Sequence, residues 1–518
     1  MKTLIALFAG NKYSRRDERI FAGESAFERS KEWAESFEDA CIFVIAEKNE
    51  PWTAAELIVA LKTEAEKNGA DTVLFAWADC PFLSVSLAKE ILETHKKYAA
   101  EYTFADGYPE GFACEAIDTG ALSLLCALCE KGGAHEAAGA KKAGRDAIFS
   151  LIKCDINSFE VETVLSPKDF RQYRLRFCCG TKAETEACRA LFALKTDGDD
   201  ALSLSEKAVQ CTKILCTVPS FYRVQITEKT ASDGVFELYP NAYKKAHGVF
   251  PSEDLKAREM SKDQFENLVD EIANFSETAV IALSAGGEPL ECSYFESAVE
   301  KVLSHAGLSV LVETSGYGIT TELAERIAKI AANAPPRAWD YPALMWIVSV
   351  DAADATMYAK LHHNAKSDSF EKSIQAVGIL SKYFEKNVYP QFLRVNENEE
   401  QLEAFFRFWK NEKSPSAGNV LVQKYDWGCG FMEQNKPADL SPLERFPCWH
   451  LRRDFTVLSG GEVPICPEWT GESDFLGNVF EEKIGEIWEK SQKNLEAHLK
   501  KCYSQKCSVC DEFYTFNF

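Results

Sequence analysis

Apolar runs alternate with amphipathic helical patterns along residues 1–196. Predicted strands are Thr3–Phe8, Ala40–Ile45 and Thr72–Trp77, and predicted helices are Thr53–Lys67 and Ser84–Tyr98. Strands that alternate with helices are typical of a parallel sheet with crossover helices. The pattern therefore predicts a doubly wound α/β domain over residues 1–205.

The same alternation returns over residues 219–435, after a polar and acidic boundary at 197–218. The six predicted strands are Phe221–Thr227, Ala279–Ser284, Leu308–Glu313, Met345–Val350, Val388–Val395 and Val420–Tyr425. Six strand–helix units can form a partial barrel, and the sites of such barrels lie at the carboxyl ends of the strands. A partial (β/α)6 barrel is therefore expected over residues 215–440.

Cysteines and turns become frequent in residues 445–518, which we predict to be a third, small domain. Cys448 and Cys466 flank 17 residues that contain a predicted hairpin with glycines at its turn. Cys507 and Cys510 form a C-x-x-C pair at a spacing typical of metal sites. Four thiolates fit either a Cys₄ iron–sulfur cluster or structural zinc, so both alternatives are open at this point.

Composition narrows the classes of partner. The formal net charge is −22, and an acidic chain is a poor general ligand for nucleic acid or for an anionic membrane. The apolar run Leu4–Ala9 is short and is followed by basic residues, so we predict a buried strand rather than a signal peptide. The sequence contains no run of 18 apolar residues, so we predict no membrane span. A cytoplasmic location is expected, in which the cysteines are thiols or metal ligands.

Polar residues follow the predicted barrel strands where a cofactor would bind. The motif Gly286-Gly287-Glu288-Pro289 follows the second strand. Its glycines let the backbone approach a ligand closely, and Glu288 can accept a hydrogen bond from an ammonium group. Ser315, Asp351 and Asn396 follow at or just beyond the ends of later predicted strands.

This order of motifs resembles a radical S-adenosylmethionine (SAM) barrel followed by a SPASM-type iron–sulfur domain. The resemblance implies that Gly286, Gly287, Glu288 and Pro289 of the GGEP turn bind the cofactor and meet the amino group of SAM. It implies that Ser315, Asp351 and Asn396, at later strand ends, bind the rest of the cofactor. It also implies a CxxxCxxC loop after the first strand, whose three thiolates hold a reactive four-iron cluster. In this chain the matching positions are Thr230, Gly234 and Glu237, and the loop contains no cysteine. Reductive cleavage of SAM is therefore not expected.

The first segment resembles the GT-A-like nucleotidyltransferases, including the cytidylyltransferases. Asp79, in the sequence WADCPFL, is similar to the aspartate of their D-x-P turn. The resemblance implies that Asp79 binds Mg²⁺ and, through it, nucleotide phosphates. Cys178 and Cys179 adjoin in a strand-like stretch, and we expect them to point to opposite faces and to form a poor chelate. His362 and His363 are expected to be surface or helix-cap residues.

The full order of segments resembles the spiro-SPASM proteins, a spirochaete family. The leading hypothesis is a degenerate radical SAM/SPASM protein that binds one auxiliary 4Fe–4S cluster through Cys448, Cys466, Cys507 and Cys510. It would be a binding or scaffold component of a modification system, with a peptide or protein partner and with SAM or a nucleotide as ligand. One alternative is an active radical SAM oxidoreductase with non-standard cluster ligands. The other is a nucleotidyltransferase acting through Asp79.

Overall fold

The computed structural model describes residues 2–513 except 13, 39, 132, 340, 439–440, 443 and 468–474. The chain forms two compact units, residues 1–217 and 218–518. The finer division into domains at 1–205, 215–440 and 445–518 stays a prediction. The C-terminal segment contributes one strand to the barrel sheet of the second unit.

Within the described residues of the first unit, six strands form one sheet in the order β2-β1-β3-β5-β4-β6. The strands are β1 (Thr3–Phe8), β2 (Cys41–Ile45), β3 (Thr72–Trp77), β4 (Tyr102–Asp106), β5 (Glu115–Asp118) and β6 (Val161–Leu165). The helices are α1 (Ala26–Glu35), α2 (Ala54–Asn68), α3 (Val85–Lys97), α4 (Thr119–Glu130), α5 (Ala134–Gly139), α6 (Ala147–Ile152), α7 (Lys182–Leu194), α8 (Ala201–Ala208) and α9 (Thr212–Leu215).

The predicted parallel pairing holds for the first three strands, and the sheet as a whole is mixed. β1 pairs in parallel with β2 and β3, whereas β5 is antiparallel to β3 and β4. β1 is a continuous apolar run from Leu4 to Phe8, and these residues are buried as expected for a strand covered on both faces. Thr53 begins α2 with a capping box, in which Glu56 and Thr53 satisfy each other's backbone N–H groups.

Within the described residues of the second unit, seven parallel strands form a curled sheet in the order β14-β13-β11-β10-β9-β7-β15. Its strands are β7 (Phe221–Val224), β9 (Ala279–Leu283), β10 (Leu308–Thr314), β11 (Leu344–Ser349), β13 (Val388–Arg394), β14 (Leu421–Lys424) and β15 (Asp454–Val457). Two smaller antiparallel pairs join β8 (Asp233–Gly234) to β12 (His362–His363) and β16 (Glu462–Pro464) to β17 (Phe475–Asn478). The predicted α/β class with a partial barrel is confirmed.

Helices connect and cover the barrel strands. They are α10 (Leu238–His247), α11 (Lys262–Ser276), α12 (Phe295–Leu303), α13 (Thr321–Asn333), α14 (Ala355–Leu361), α15 (Ser369–Phe384), α16 (Leu402–Lys410), α17 (His450–Arg453), α18 (Ile484–Leu499) and α19 (Gln505–Val509). Ser261 begins α11 with a capping box, and Phe265, Leu268, Val269 and Ile272 form its buried face. In the part of the chain that the structure describes, no helix is both long and apolar enough to cross a membrane.

The hairpin predicted between Cys448 and Cys466 is wrong in its strand pairing. Its turn is present, because Gly461 N–H donates to the carbonyl of Leu458. The strand before the turn, β15, pairs instead with β7, and the strand after it, β16, pairs with β17. The turn therefore connects the barrel sheet to a separate small sheet.

Two backbone segments meet tightly at the carboxyl end of the barrel sheet. Gly287, in the turn after β9, approaches the loop after β7 so closely that a Cβ there would lie 1.9 Å from the carbonyl oxygen of Thr227. Glu288 N–H donates to the carbonyl of Lys229 at 2.7 Å. Gly287 also has φ +78°, which favours glycine. This contact fixes the GGEP turn against the loop that follows the first barrel strand.

The substitution Gly287→Ala is therefore predicted to lower the stability of the chain strongly. Gly248→Ala is the matched control, because Gly248 has a similar φ of +82° and a Cβ there would meet no atom of the described residues within 4 Å. Both variants incur the cost of a left-handed alanine, about 1 kcal/mol. Gly287→Ala should lose about 1–3 kcal/mol more through overpacking, measured by urea unfolding. Equal losses in the two variants would contradict the contact.

Candidate functional site

A cavity of about 760 Å³ lies at the carboxyl end of the barrel sheet. Its walls include four of the predicted cofactor-binding residues, Gly286, Gly287, Glu288 and Ser315. Pro289 is buried in a short 3₁₀ turn behind Glu288. Asp351 lines a small adjoining recess. Asn396 is exposed and is not among the residues that line either space.

The Glu288 carboxylate is held by donors from its own chain. Its Oε1 accepts from Thr314 Oγ1 at 2.7 Å, and its Oε2 accepts from Ser315 N–H at 2.8 Å and Ser315 Oγ at 2.7 Å. Burial raises the pKa of Glu288, whereas these hydrogen bonds oppose the increase. Leu290 N–H also donates to Oε1 at 3.2 Å. Four donors thus preorganise the carboxylate at the cavity wall, where its negative charge can attract a cationic ligand.

Asp351 and His362 form a buried pair beside this wall. Asp351 Oδ1 accepts from the backbone N–H of Leu393 at 2.7 Å, and Oδ2 lies 3.4 Å from Nε2 of His362. His362 is 5% exposed and is therefore not a surface residue, but it is the C-cap of α14, which is the other position expected for it. Its burial follows from the pairing of its strand with Gly234, which no local pattern indicates.

The loop after β7 is closed by protein contacts at the three positions where the resemblance places cysteines. Thr230 Oγ1 donates to the buried Asp233 at 2.6 Å, and Gly234 pairs with His362 in the small sheet. Glu237 precedes α10 and lines the cavity. The loop is therefore ordered by hydrogen bonds and strand pairing.

Glu237 is a strongly perturbed carboxyl of the cavity wall. Burial raises its pKa to about 7, and His362 opposes the increase. Glu313, on β10, also has a raised pKa because of its burial. Desolvation favours the neutral form of a carboxyl, so Glu237 changes charge near neutral pH. The sequence indicated Glu237 only by its spacing in the loop, and it did not indicate whether its carboxyl would be charged.

The C-terminal cysteines lie in a different part of the second unit. Burial raises the pKa of Cys448 to about 12, with smaller increases from Cys510 and Cys507. Cys507 and Cys510 are at the beginning and end of the last turn, in and after α19. Cys466 follows β16 and is partly buried. Cys448 is thus close enough to Cys507 and Cys510 for their charges to affect its pKa. Sulfur donors are the ligands that iron–sulfur clusters require.

Cys429 is a neighbour of this group that sequence reasoning missed. A hydrogen bond with Cys429 is the main cause that lowers the pKa of Cys510 to about 7. Cys429 has φ +55° and lies between Gly428 and Gly430, which have φ +61° and +89°. Three successive left-handed residues make a tight turn that presents the Cys429 thiol. The flanking glycines were the available sequence indication of this turn.

Asp79 is buried in the first unit and is already paired. Its Oδ2 accepts from Arg145 Nη2 at 2.6 Å and from Ser14 Oγ at 3.4 Å. Cys80 and Cys178 lie on its other side. These soft sulfur donors are unlike the oxygen ligands that Mg²⁺ prefers, so the expected Mg²⁺ site has no support in the donors around Asp79.

We predict that Glu237→Gln removes a pH-dependent loss of stability. The folded pKa of about 7 exceeds the ordinary value of 4.5, so the wild type loses stability as the pH rises through this window, by up to about 3 kcal/mol. Glutamine mimics the neutral carboxyl, so the variant should match the wild type near pH 5 and exceed it at pH 8. Urea unfolding across pH 5–8 measures this difference. Glu300→Gln, at an exposed position of α12, is the control, and a parallel pH profile for Glu237→Gln would contradict the burial of its charge.

Comparison with known proteins identifies the C-terminal segment. Residues 448–511 match the family model of the SPASM iron–sulfur cluster-binding domain. Among solved structures, Streptococcus suis SuiB bound to S-adenosylmethionine is 15% identical, with a TM-score of 0.42, over 64% of this chain and 82% of SuiB. A cytidylyltransferase from Leptospira borgpetersenii is 12% identical, with a TM-score of 0.32, over 40% of this chain and 92% of that enzyme. Both TM-scores are below 0.5, so these two similarities do not bear on function.

A sequence relative covers much more of the chain. An uncharacterized protein of Treponema pallidum (strain Nichols) is 35% identical over 383 residues. The match includes 72% of this chain and 98% of that protein. Similarity at this level over nearly the whole length of the relative is a family relationship. The chain therefore belongs to the same family as this Treponema pallidum protein, and it carries a C-terminal SPASM iron–sulfur cluster-binding domain.

Proposed function

We propose that the chain is a degenerate radical SAM/SPASM protein of the spiro-SPASM type. It binds one auxiliary 4Fe–4S cluster through Cys448, Cys466, Cys507 and Cys510. Its barrel cavity binds SAM or a related ligand without cleaving it reductively. The protein then acts as the binding or scaffold component of a modification system, with a peptide or protein as its partner.

The loop after β7 is the observation that carries this proposal. Thr230, Gly234 and Glu237 offer no thiol, and their side chains or backbones are committed to contacts within the chain. Cys292 is the cysteine next to the GGEP turn, but it is buried, its pKa is raised to about 11 by burial, and it is not among the cavity-lining residues. Among the described residues, a thiolate trio for a reactive cluster therefore has no source at this wall.

The cavity wall nevertheless retains features that suit SAM. Glu288 presents a preorganised carboxylate, and the adjacent Gly286 and Gly287 expose backbone to the cavity. A carboxylate of this kind favours the ammonium group of an amino acid. Ligand binding in the barrel can thus persist after the redox function is lost.

The four C-terminal thiols fit an iron–sulfur cluster by the chemistry of their donor atoms. A cluster held there supplies one-electron transfer when bound. Cys510 is poised for ligation, because ligand cysteines must be deprotonated and its pKa is about 7. Arg445 Nη2 donates to the carbonyl of Cys507, which fixes the backbone of the C-x-x-C turn.

Anaerobically purified protein is predicted to contain about four iron and four sulfide per chain. The double variant Cys507→Ala/Cys510→Ala should lose both, because two of the four ligands are gone. Cys126→Ala/Cys129→Ala is the matched control, since it removes the C-x-x-C pair of α4 and should keep the full iron content. Metal and sulfide analysis measures each outcome.

Two results of this assay would overturn the proposal. About eight iron per chain, half of it surviving in Cys507→Ala/Cys510→Ala, would mean that the barrel holds its own cluster. Iron-free protein whose zinc content falls in the same variant would make the C-terminal site a structural zinc site.

We also predict that the protein binds SAM but forms no 5′-deoxyadenosine under strong reductant.

The triple variant Thr230→Cys/Gly234→Cys/Glu237→Cys tests whether the missing thiols alone account for this. The three nearest atoms that a Cβ at Gly234 would meet belong to the Glu237 side chain, which the same variant shortens. Because Thr230→Cys also replaces one donor to Asp233, urea unfolding first establishes that the variant is folded. Its iron content should rise by about four. Wild-type protein that releases 5′-deoxyadenosine in chromatographic assays would establish the active-enzyme alternative.

A further inference from the structure

A second group of thiols lies buried in the first unit, beside Asp79. The Sγ atom of Cys80 is 3.7 Å from Sγ of Cys178 and 3.6 Å from Oδ1 of Asp79. One ligand atom from each of the three residues lies within 4.8 Å of the other two. All three side chains are at most 3% exposed. Two sulfurs and one carboxylate oxygen therefore converge on one point, away from bulk water.

The spacing of the two sulfurs matches that of a tetrahedral metal ion. With a zinc–sulfur bond of about 2.3 Å, tetrahedral geometry places two thiolates about 3.8 Å apart. The observed separation of 3.7 Å needs almost no adjustment. The sulfur of Cys178 thus lies beside that of Cys80, about a hundred residues earlier in the sequence, and Cys179 is not part of the group.

Arg145 orients the carboxylate and balances the charge of the group. Its Nη2 donates to Asp79 Oδ2 at 2.6 Å, and its Nη1 lies 3.5 Å from Cys80 Sγ. The guanidinium also packs 4.8 Å from the Trp77 ring, which holds it in place. Oδ2 is therefore occupied by donors, whereas Oδ1 faces the sulfurs. Two thiolates, one carboxylate, one guanidinium and one divalent cation sum to zero charge.

We propose that Asp79, Cys80 and Cys178 bind a thiophilic divalent cation, with Zn²⁺ as the natural occupant. Soft sulfur donors select zinc over magnesium, which prefers oxygen ligands in octahedral geometry. Arg145 is the outer partner that fixes the ligating carboxylate, as such groups do in other metal sites. Three protein ligands leave one coordination position for water or a small ligand. This site is independent of the C-terminal cluster.

Cobalt(II) titration of the reduced full-length chain tests the proposal, because cobalt–thiolate bonds give a charge-transfer absorption. The background is Cys507→Ala/Cys510→Ala, so that the C-terminal thiols do not compete. We expect this chain to bind one cobalt, and Zn²⁺ to displace it. Addition of Cys80→Ser or Cys178→Ser should abolish the absorption, and Asp79→Asn should weaken binding about tenfold or more. Cys114→Ser, at an equally buried cysteine of the same unit, is the control and should bind as the background does.

Several results would overturn the site. One is a background protein that binds no cobalt, and another is an absorption that survives Cys80→Ser and Cys178→Ser. A Cys80–Cys178 disulfide that persists under reductant, detected by mass spectrometry after alkylation, would likewise exclude thiolate ligation. Urea unfolding of each variant shows whether it is folded, and Asp79→Asn, which keeps the shape of the side chain, tests the site if a serine variant unfolds.

Discussion

One buried carboxylate, Asp233, holds the loop between β7 and α10 in place. It is fully buried and accepts hydrogen bonds from Thr230 and Ser252, while its backbone pairs with His363. A buried charge that loses its partners costs several kcal/mol, so these donors fix the path of the loop. That path brings Glu237 to the cavity wall. Hydrogen bonds and strand pairing thus keep this loop ordered.

Five of the six predicted barrel strands lie within one residue of their observed bounds, whereas the first was predicted to end at Thr227 and ends at Val224. Strands covered on both faces are recognisable because they are continuous apolar runs. β9, Ala279–Leu283, is entirely buried and is bounded by polar turns, so both its type and its ends are encoded locally. β15, Asp454–Val457, was expected only as a hairpin strand, and its place in the barrel sheet was missed because it is short and begins with a charge. Asp454 is tolerated in the sheet since His450 and Arg453 pair with it, and these contacts have no periodic pattern. Its pairing with β7 spans more than 200 residues of sequence.

The candidate sites show the same limit. Glu288 and Ser315 were predictable because both follow apolar strands, and the carboxyl ends of parallel strands meet at one edge. His362, Cys429 and Cys80 acquire their roles from partners that are distant in sequence, namely Gly234, Cys510 and Cys178. Local sequence patterns predicted that Cys178 and Cys179 would chelate a metal ion poorly. They could not indicate that Cys80 lies beside Cys178. Tertiary contact, rather than residue type, decides which of these side chains can act together.

The two clusters of cysteines differ in the protonation state of their thiols. At the C-terminal group the pKa of Cys510 is about 7, so a thiolate is available at neutral pH before any metal arrives. At the N-terminal group, a hydrogen bond to Cys80 and then burial raise the pKa of Cys178 well above its ordinary value. A thiolate there is stable only if positive charge enters with it, since Arg145 alone is already shared with Asp79. If both clusters bind metal as proposed, deprotonation of Cys178 accompanies metal binding, whereas deprotonation of Cys510 can precede it.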